Sequence, residues 1–327
     1  MKRSACIIIL TLNLLLLAPL TIFGQAVKLE LIFSGGPTGG TFDFFSAGIA
    51  EHLSRNAGNL VVINRTSPGS VENIRRVNAG AADFAIVYAG DLFLARQGKL
   101  PQDQKKYEGV LAMASLYDAP AHLVTLRSSG IDSVAKLVGK RVAVGGVGSG
   151  AAASAERYFR SLDLWSRIEP RFIGYSHAAK ALAGEQIDAL WILAGVPNSA
   201  VVELAASHEI RFLDIPPPAE EADFSAPFPF YSEVLIPAGT YPGQDRAVQS
   251  FQDTAVWVAG KQLRAEQVSA ALREVFSAAG LVHLARVKTT ARQMPRDGGL
   301  ENILTPLHPG AEHYWDEQAT ASALPRD

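Results

Sequence analysis

The chain has 327 residues, enough for about two domains at ~150 residues each. Hydrophobic residues make 48 % of it and charged ones 19 %, which excludes a disordered chain. A formal net charge of −2 argues against a nucleic-acid-binding protein, and a single cysteine excludes a disulfide scaffold or a cysteine-rich zinc site.

The first residues predict export. Lys2 and Arg3 form a short basic stretch, and Ile7 to Phe23 is apolar apart from weak breaks such as Asn13 and Pro19. Gly24 and Ala26 are small residues placed for cleavage before Val27. This is the pattern of a secretory signal peptide over residues 1–26. Cleavage removes Cys6, Lys2 and Arg3, leaving 28 basic against 32 acidic residues in about 301, a net charge of −4. The expected compartment is the periplasm.

Lys28 to Phe33 reads as a buried strand, followed by the loop SGGPTGGT. A helix then starts near Thr41, a good N-cap residue, with Phe42, Phe45, Ile49 and Leu53 on one face. Leu60 to Arg65 reads as a second strand. The loop TSPGS leads into a helix with Val71, Ile74 and Val77 on one face, ended by Gly80. Asp83 opens a third strand.

The same order recurs about 105 to 109 residues later. Strand RVAV meets the loop GGVGSG, and a helix follows. Strand RFIGY, from Arg171 to Tyr175, leads to a short helix through Ala178, Ala179 and Leu182, stopped by Gly184. Asp188 opens strand DALWIL, so AG-x-x-D at Ala79 is echoed by AG-x-x-x-D at Ala183. Alternating strands and helices of this kind predict parallel sheets covered on both faces. Two such units predict two α/β lobes. Between them, LYDAPAHLVTL reads as an extended crossing segment. After a Pro-rich stretch from Asp214 to Tyr231, VQSFQDTAVWVAG reads as a return strand, and amphipathic helices follow from Ala265.

Ligands of open α/β sheets bind beyond the carboxyl ends of the strands. The loops TGGT, TSPGS and GVGSG lie there, and each feeds a helix N-terminus. Free backbone N–H groups and the positive dipole end favour an anion at such a place. Three of them facing one cleft would hold a carboxylate with no metal and no cofactor.

Other chemistry fits less well. Gly146 to Ala151 matches G-x-G-x-x-A, but the next strand does not end in the acidic residue that a dinucleotide fingerprint needs. Gly35 to Gly40 gives G-x-x-x-x-G, with Thr41 in place of the P-loop lysine. Ser133 to Lys136 matches a bare S-x-x-K, which reads better as a short capped turn. His308 and His313 flank Glu312 without metal-ligand spacing and read as surface histidines. No nucleophile–base pair stands out, which favours a binding protein over an enzyme.

The runs TGGTFDFFSAGIAEHLSRN and SPGSVENIRRVNAGAADFAIVYAGD resemble the TAXI family of solute receptors. The resemblance continues through LYDAPAHLVTL, LVGKRVAVGGVGSGAAASAERYF, YSHAAKALAGEQIDALWILAGVPNSAVVELA, IPAGTYPGQ and PLHPGAEHYW. It implies a type II periplasmic-binding-protein fold, with lobe 1 over residues 27–117 and 241–327 and lobe 2 over 118–240. It also implies a monomeric receptor that takes a small anionic or zwitterionic solute, such as an amino acid, dicarboxylate or 2-oxoacid. Its partners would be the small and large membrane subunits of a tripartite ATP-independent periplasmic (TRAP) transporter, driven by an ion gradient. The alternative with the same fold is a sensing subunit that presents bound solute to a membrane kinase.

Carried over residue by residue, the resemblance places Thr38, Gly39, Gly40 and Thr41 in the first binding loop, and Ser67, Gly69 and Ser70 in the second. Tyr88 stands where the family has a glutamine-like residue. Ser149 and Gly150 belong to a GSGT-like loop in which Ala151 replaces the hydroxyl residue. Tyr117, Tyr175, Ser176, Pro197, Asn198 and Phe230 are further lining candidates. Arg65 ends a strand beside the second loop, where it can clamp a carboxylate or stand in solvent.

Overall fold

The computed structural model describes residues 29–58, 60–101, 103–215, 228–295 and 299–323. The expected signal segment, residues 1–26, and most of the Pro-rich stretch lie outside them. The chain opens with β1 (Leu29–Ser34), α1 (Thr41–Asn56), β2 (Leu60–Arg65), α2 (Ser70–Asn78), β3 (Phe84–Tyr88) and α3 (Ala89–Gln97). The long strand β4 (Val110–Leu126) leads to β5 (Arg141–Ala143), α4 (Gly150–Ser161) and β6 (Glu169–Arg171). Next come α5 (Tyr175–Ala183), β7 (Ala189–Leu193), α6 (Ser199–Ser207), β8 (Ile210–Phe212) and β9 (Ser232–Ile236). A second long strand, β10 (Val248–Gly260), precedes α7 (Ala265–Val275), α8 (Ala278–Val287) and α9 (Pro309–Ala323).

The strands run in the order β2-β1-β3-β10-β4-β7-β5-β6. Read from each end, the two halves share one plan: β2-β1-β3 meets β10, and β6-β5-β7 meets β4. Pairing within each triplet is parallel, and the long strands add antiparallel. The repeat extends to single atoms. Asp83 accepts the Ile32 N–H at 2.8 Å through Oδ2 and donates its own N–H to the Ile32 carbonyl at 2.8 Å. Asp188 does the same with Arg141, also at 2.8 Å both ways. The two aspartates thus tie each third strand to its parallel neighbour.

The long strands join the halves. β4 pairs with β10 from Val110 to Pro120 and with β7 from Ala121 to Val124. β10 pairs with β9 from Val248 to Gln252 and with β3 from Ala255 to Ala259. Tyr241 and Val248 pack with Ile192, Val201 and Phe212.

The amphipathic faces pack as their spacing dictates. Phe42, Phe45, Ile49 and Leu53 of α1 are all buried in the main core. Each such side chain contributes about 1.5–3 kcal/mol of burial. Val71, Ile74 and Val77 of α2 enter a second cluster on the other side of the sheet.

Local expectations shift at four places. Thr41 is the first helical residue and not the cap; Gly40 is the N-cap of α1. β6 ends at Arg171, because Gly174 caps α5 and Tyr175 already belongs to that helix. Gly80 takes the left-handed conformation after α2 (φ 71°), but after α5 that position falls to Glu185 (φ 54°) and not Gly184. The extra residue in AG-x-x-x-D moves the turn by one. Last, His308 is buried, with Nε2 3.1 Å from the Leu263 carbonyl, while His313 is exposed beside Glu317.

Candidate functional site

The carboxyl ends of β1, β3, β5 and β7 converge on one cavity. The cavity between the halves is small, about 30 Å3. Four helices begin at its wall, α1, α2, α4 and α5, one more than the glycine loops alone suggest. Helix geometry leaves their first-turn N–H groups without intrahelical acceptors. Some are used by protein: Glu72 N–H donates to the Gly148 carbonyl at 3.0 Å, and Ala152 N–H to Ser149 Oγ at 3.1 Å. The N–H groups of Thr41, Phe42, Ser70, Val71, Gly150 and Ala151 have no protein acceptor among the described residues.

Three phenols complete the wall. Tyr88 and Tyr175 both donate to the Leu193 carbonyl, at 2.5 and 2.7 Å. Tyr88 also packs on Phe42, with ring centroids 4.8 Å apart. Tyr117 rests on Phe45 at 4.7 Å. Neither Tyr117 Oη nor Thr41 Oγ1 has a hydrogen-bond partner of good geometry among the described residues, although the two hydroxyls are neighbours. Burial holds the Tyr88 and Tyr117 phenols well above their ordinary pKa, with the neighbouring Tyr175 adding to it. At neutral pH all three therefore stay neutral and can donate. No Asp, Glu, Lys or Arg side chain lines the cavity among the described residues.

The halves are closed on each other around this space. Tyr88 of β3 reaches Leu193 of β7, and α2 bonds the loop before α4 through Glu72 and Gly148. Beside the cavity, Arg157 of α4 holds Asp91 Oδ1 of α3 with two bonds of 3.0 Å. Arg157 Nε also donates to Tyr231 Oη at 2.8 Å. Asp253 of β10 lies under the N-terminus of α3, where its Oδ1 accepts the Gly90 N–H at 3.2 Å. Burial, then the neighbouring Asp91, pushes the Asp253 carboxyl well above the usual carboxylate range.

Of the residues singled out in the sequence, Gly40, Thr41, Gly69, Ser70, Tyr88, Tyr117, Ser149, Gly150 and Tyr175 line the cavity together. Thr38, Gly39, Arg65, Ser67, Ser176, Pro197, Asn198 and Phe230 do not. Ser67 supports the second loop from behind: its hydroxyl donates to the Gly35 carbonyl at 3.0 Å and accepts the Gly69 N–H at 3.1 Å. A Cβ on Gly39 would stand 3.4 Å from Ser176 Oγ, so these two residues meet across the rim. Asn198 caps α6 through Ala200 and Val201, and Pro197 accepts from Lys288 Nζ. Phe230 packs against Phe93 and the Arg157 guanidinium. Arg65 is exposed and gives only its backbone carbonyl, to Gly35. Sequence reasoning missed Phe42, Leu193 and Ala194 as lining residues; the last two sit at the carboxyl end of β7, where the rule for α/β sheets points. It also missed the Asp91–Arg157 pair, which carries no motif.

Solved structures share this architecture. MatC from Rhodopseudomonas palustris with bound malate is 15 % identical over 89 % of this chain and 97 % of its own, with a TM-score of 0.56. The periplasmic binding protein BugD is 13 % identical over 89 % of this chain and 96 % of its own, at 0.54. A putative L-cystine ABC transporter protein from Listeria monocytogenes is 12 % identical over 82 % and 98 %, at 0.52. The fold is thus the type II periplasmic-binding-protein fold, two α/β lobes with a cleft between them. The sequence itself matches a family model over residues 33–319, nearly all of the described chain, and the protein belongs to the NMT1-like family.

Proposed function

We propose that the protein is an exported receptor of the TAXI type that captures a small carboxylate between its lobes and delivers it to a TRAP-type transporter. One observation carries this reading. Helix N-termini from both halves surround a cavity whose wall offers unpaired backbone N–H donors and no charged side chain among the described residues. Charge-assisted hydrogen bonds of about 1.5–3 kcal/mol each can offset the desolvation of a buried carboxylate. Family membership and the malate held by a protein of the same fold support it. In this reading the protein acts by binding and not by turnover.

In this reading lobe 1 comprises residues 27–117 and 241–327, and lobe 2 residues 118–240. β10 changes partner from β9 to β3 after Gln252. The receptor acts as a periplasmic monomer, with residues 1–26 removed on export. Its partners are the small and large permease subunits.

Thermal unfolding of the ligand-stripped protein tests the reading against amino acids, dicarboxylates, 2-oxoacids and sugars. A ligand at 100 times its dissociation constant stabilises the native state by about 2.7 kcal/mol. Stabilisation confined to carboxylates supports the receptor, and stabilisation by sugars alone contradicts it. Delivery is tested with the two permease subunits in liposomes: uptake should need the receptor and an ion gradient, and should ignore ATP.

A further inference from the structure

Resting on that receptor reading, we propose that the cavity selects a monocarboxylate with an apolar body and no ammonium group. Its ligands are short 2-oxo, 2-hydroxy or unsubstituted carboxylic acids. It discriminates against the matching amino acids and against dicarboxylates.

The donors decide where the carboxylate goes. The amides of Thr41 and Phe42, of Ser70 and Val71, and of Gly150 and Ala151 lack protein acceptors among the described residues, and the neighbouring hydroxyls Thr41 Oγ1 and Tyr117 Oη have no partner of good geometry. Both hydroxyl residues are only 3 % exposed. A buried polar atom left unpaired is costly, and an acceptor supplied by the ligand removes that cost.

The acceptors decide what the rest of the ligand cannot be. An ammonium has three protons to place and pays several kcal/mol of desolvation when they are unpaired. The Leu193 carbonyl at the wall already takes both the Tyr88 and Tyr175 phenols. Asp91, behind Gly150, is fully buried and outside the lining; Arg157 holds its Oδ1, while its Oδ2 has no hydrogen-bond partner among the described residues. A second carboxylate fares no better, since no Lys or Arg side chain reaches the cavity among the described residues. Instead, the remaining wall offers Phe42, the faces of three tyrosines, and Ala194, which suit an apolar body.

Calorimetric titration of the stripped protein with matched compounds tests this. The set is 4-methyl-2-oxopentanoate, 4-methylpentanoate, leucine and 2-oxoglutarate, with glucose as the uncharged control. The monocarboxylates should bind at least about 100-fold more tightly than leucine, as an uncompensated ammonium requires at 1.4 kcal/mol per tenfold. 2-Oxoglutarate should not displace them. Tyr117→Phe and Thr41→Val should each weaken monocarboxylate binding about tenfold, the loss of one hydrogen bond to a charged group. Circular dichroism and the unliganded melting temperature show that each variant folds; either variant suffices for the test. Leucine binding as tightly as its 2-oxo analogue, or 2-oxoglutarate winning, overturns the selectivity while leaving the receptor reading intact. Silence from every acid, from folded protein, overturns both.

Discussion

His122 is a residue whose burial has a measurable cost. It sits in β4, 1 % exposed, with Nε2 2.8 Å from Tyr241 Oη. That phenol oxygen also accepts the Asn198 N–H at 3.0 Å. Burial lowers the His122 pKa to about 4, against weaker opposing effects of the Pro120 and Ile192 carbonyls. In the unfolded chain it titrates at the ordinary value of 6.5. Between these values the unfolded state binds more protons, so stability is complete above pH 6.5 and is lost as pH falls towards 4. The loss from this residue alone should reach about 2 kcal/mol at pH 5. His122→Gln should remove that part of the pH dependence, which urea unfolding at pH 7 and pH 5 measures. An equal slope in wild type and variant would contradict the assignment.

At the scale of elements, the meeting of α4 with β3 and α3 decides whether the lobes can close. Gly150 opens α4, and a Cβ there would fall 2.6 Å from Asp91 Oδ2 and strike the Tyr88 ring. Both obstacles belong to the opposite half. Gly150→Ala should therefore leave each half folded but obstruct the closed form. Ligand affinity should drop at least about tenfold, the effect of 1.4 kcal/mol, with the unliganded melting temperature nearly unchanged. A variant that melts early without ligand would place the glycine's role in folding instead. This contrast explains what could be read in advance. The face of α1, the span of β10 and the aspartates before β3 and β7 follow from local pattern and are present as expected. β6 was misplaced because Phe172 and Ile173 look like strand residues, while Gly174 and the Tyr175 phenol turn the chain into a helix. Site loops that open helices were legible from their glycines and hydroxyls. Pro197 and Asn198 had the same appearance, yet they cap a helix away from the cavity. The Asp91–Arg157 contact joins residues 66 positions apart on two helices, and spacing does not encode that meeting.

For the whole molecule, this contact is a latch between the two halves. Asp91 is fully buried and Arg157 nearly so, with the guanidinium also stacked near Phe230 and Tyr231 at 5.8 and 5.6 Å. Such a pair adds little net stability when intact, but removing one partner strands a buried charge at a cost of about 3–5 kcal/mol. When the lobes part, both charges regain water. Arg157→Met should therefore penalise the closed form selectively, weakening ligand binding although the residue lies outside the cavity. Unchanged affinity in that variant would mean that the latch does not gate closure. In the proposed reading the two crossing strands would be the hinge, since each changes partner partway along: β4 from β10 to β7, and β10 from β9 to β3. Closure on a small acid is the central claim, and small-angle scattering tests it most directly. The stripped protein should contract when saturated with the best-bound acid, approaching the radius of gyration calculated for the closed fold, and Gly150→Ala should fail to contract. A saturated wild-type protein whose scattering curve matches that of the empty one would contradict the account.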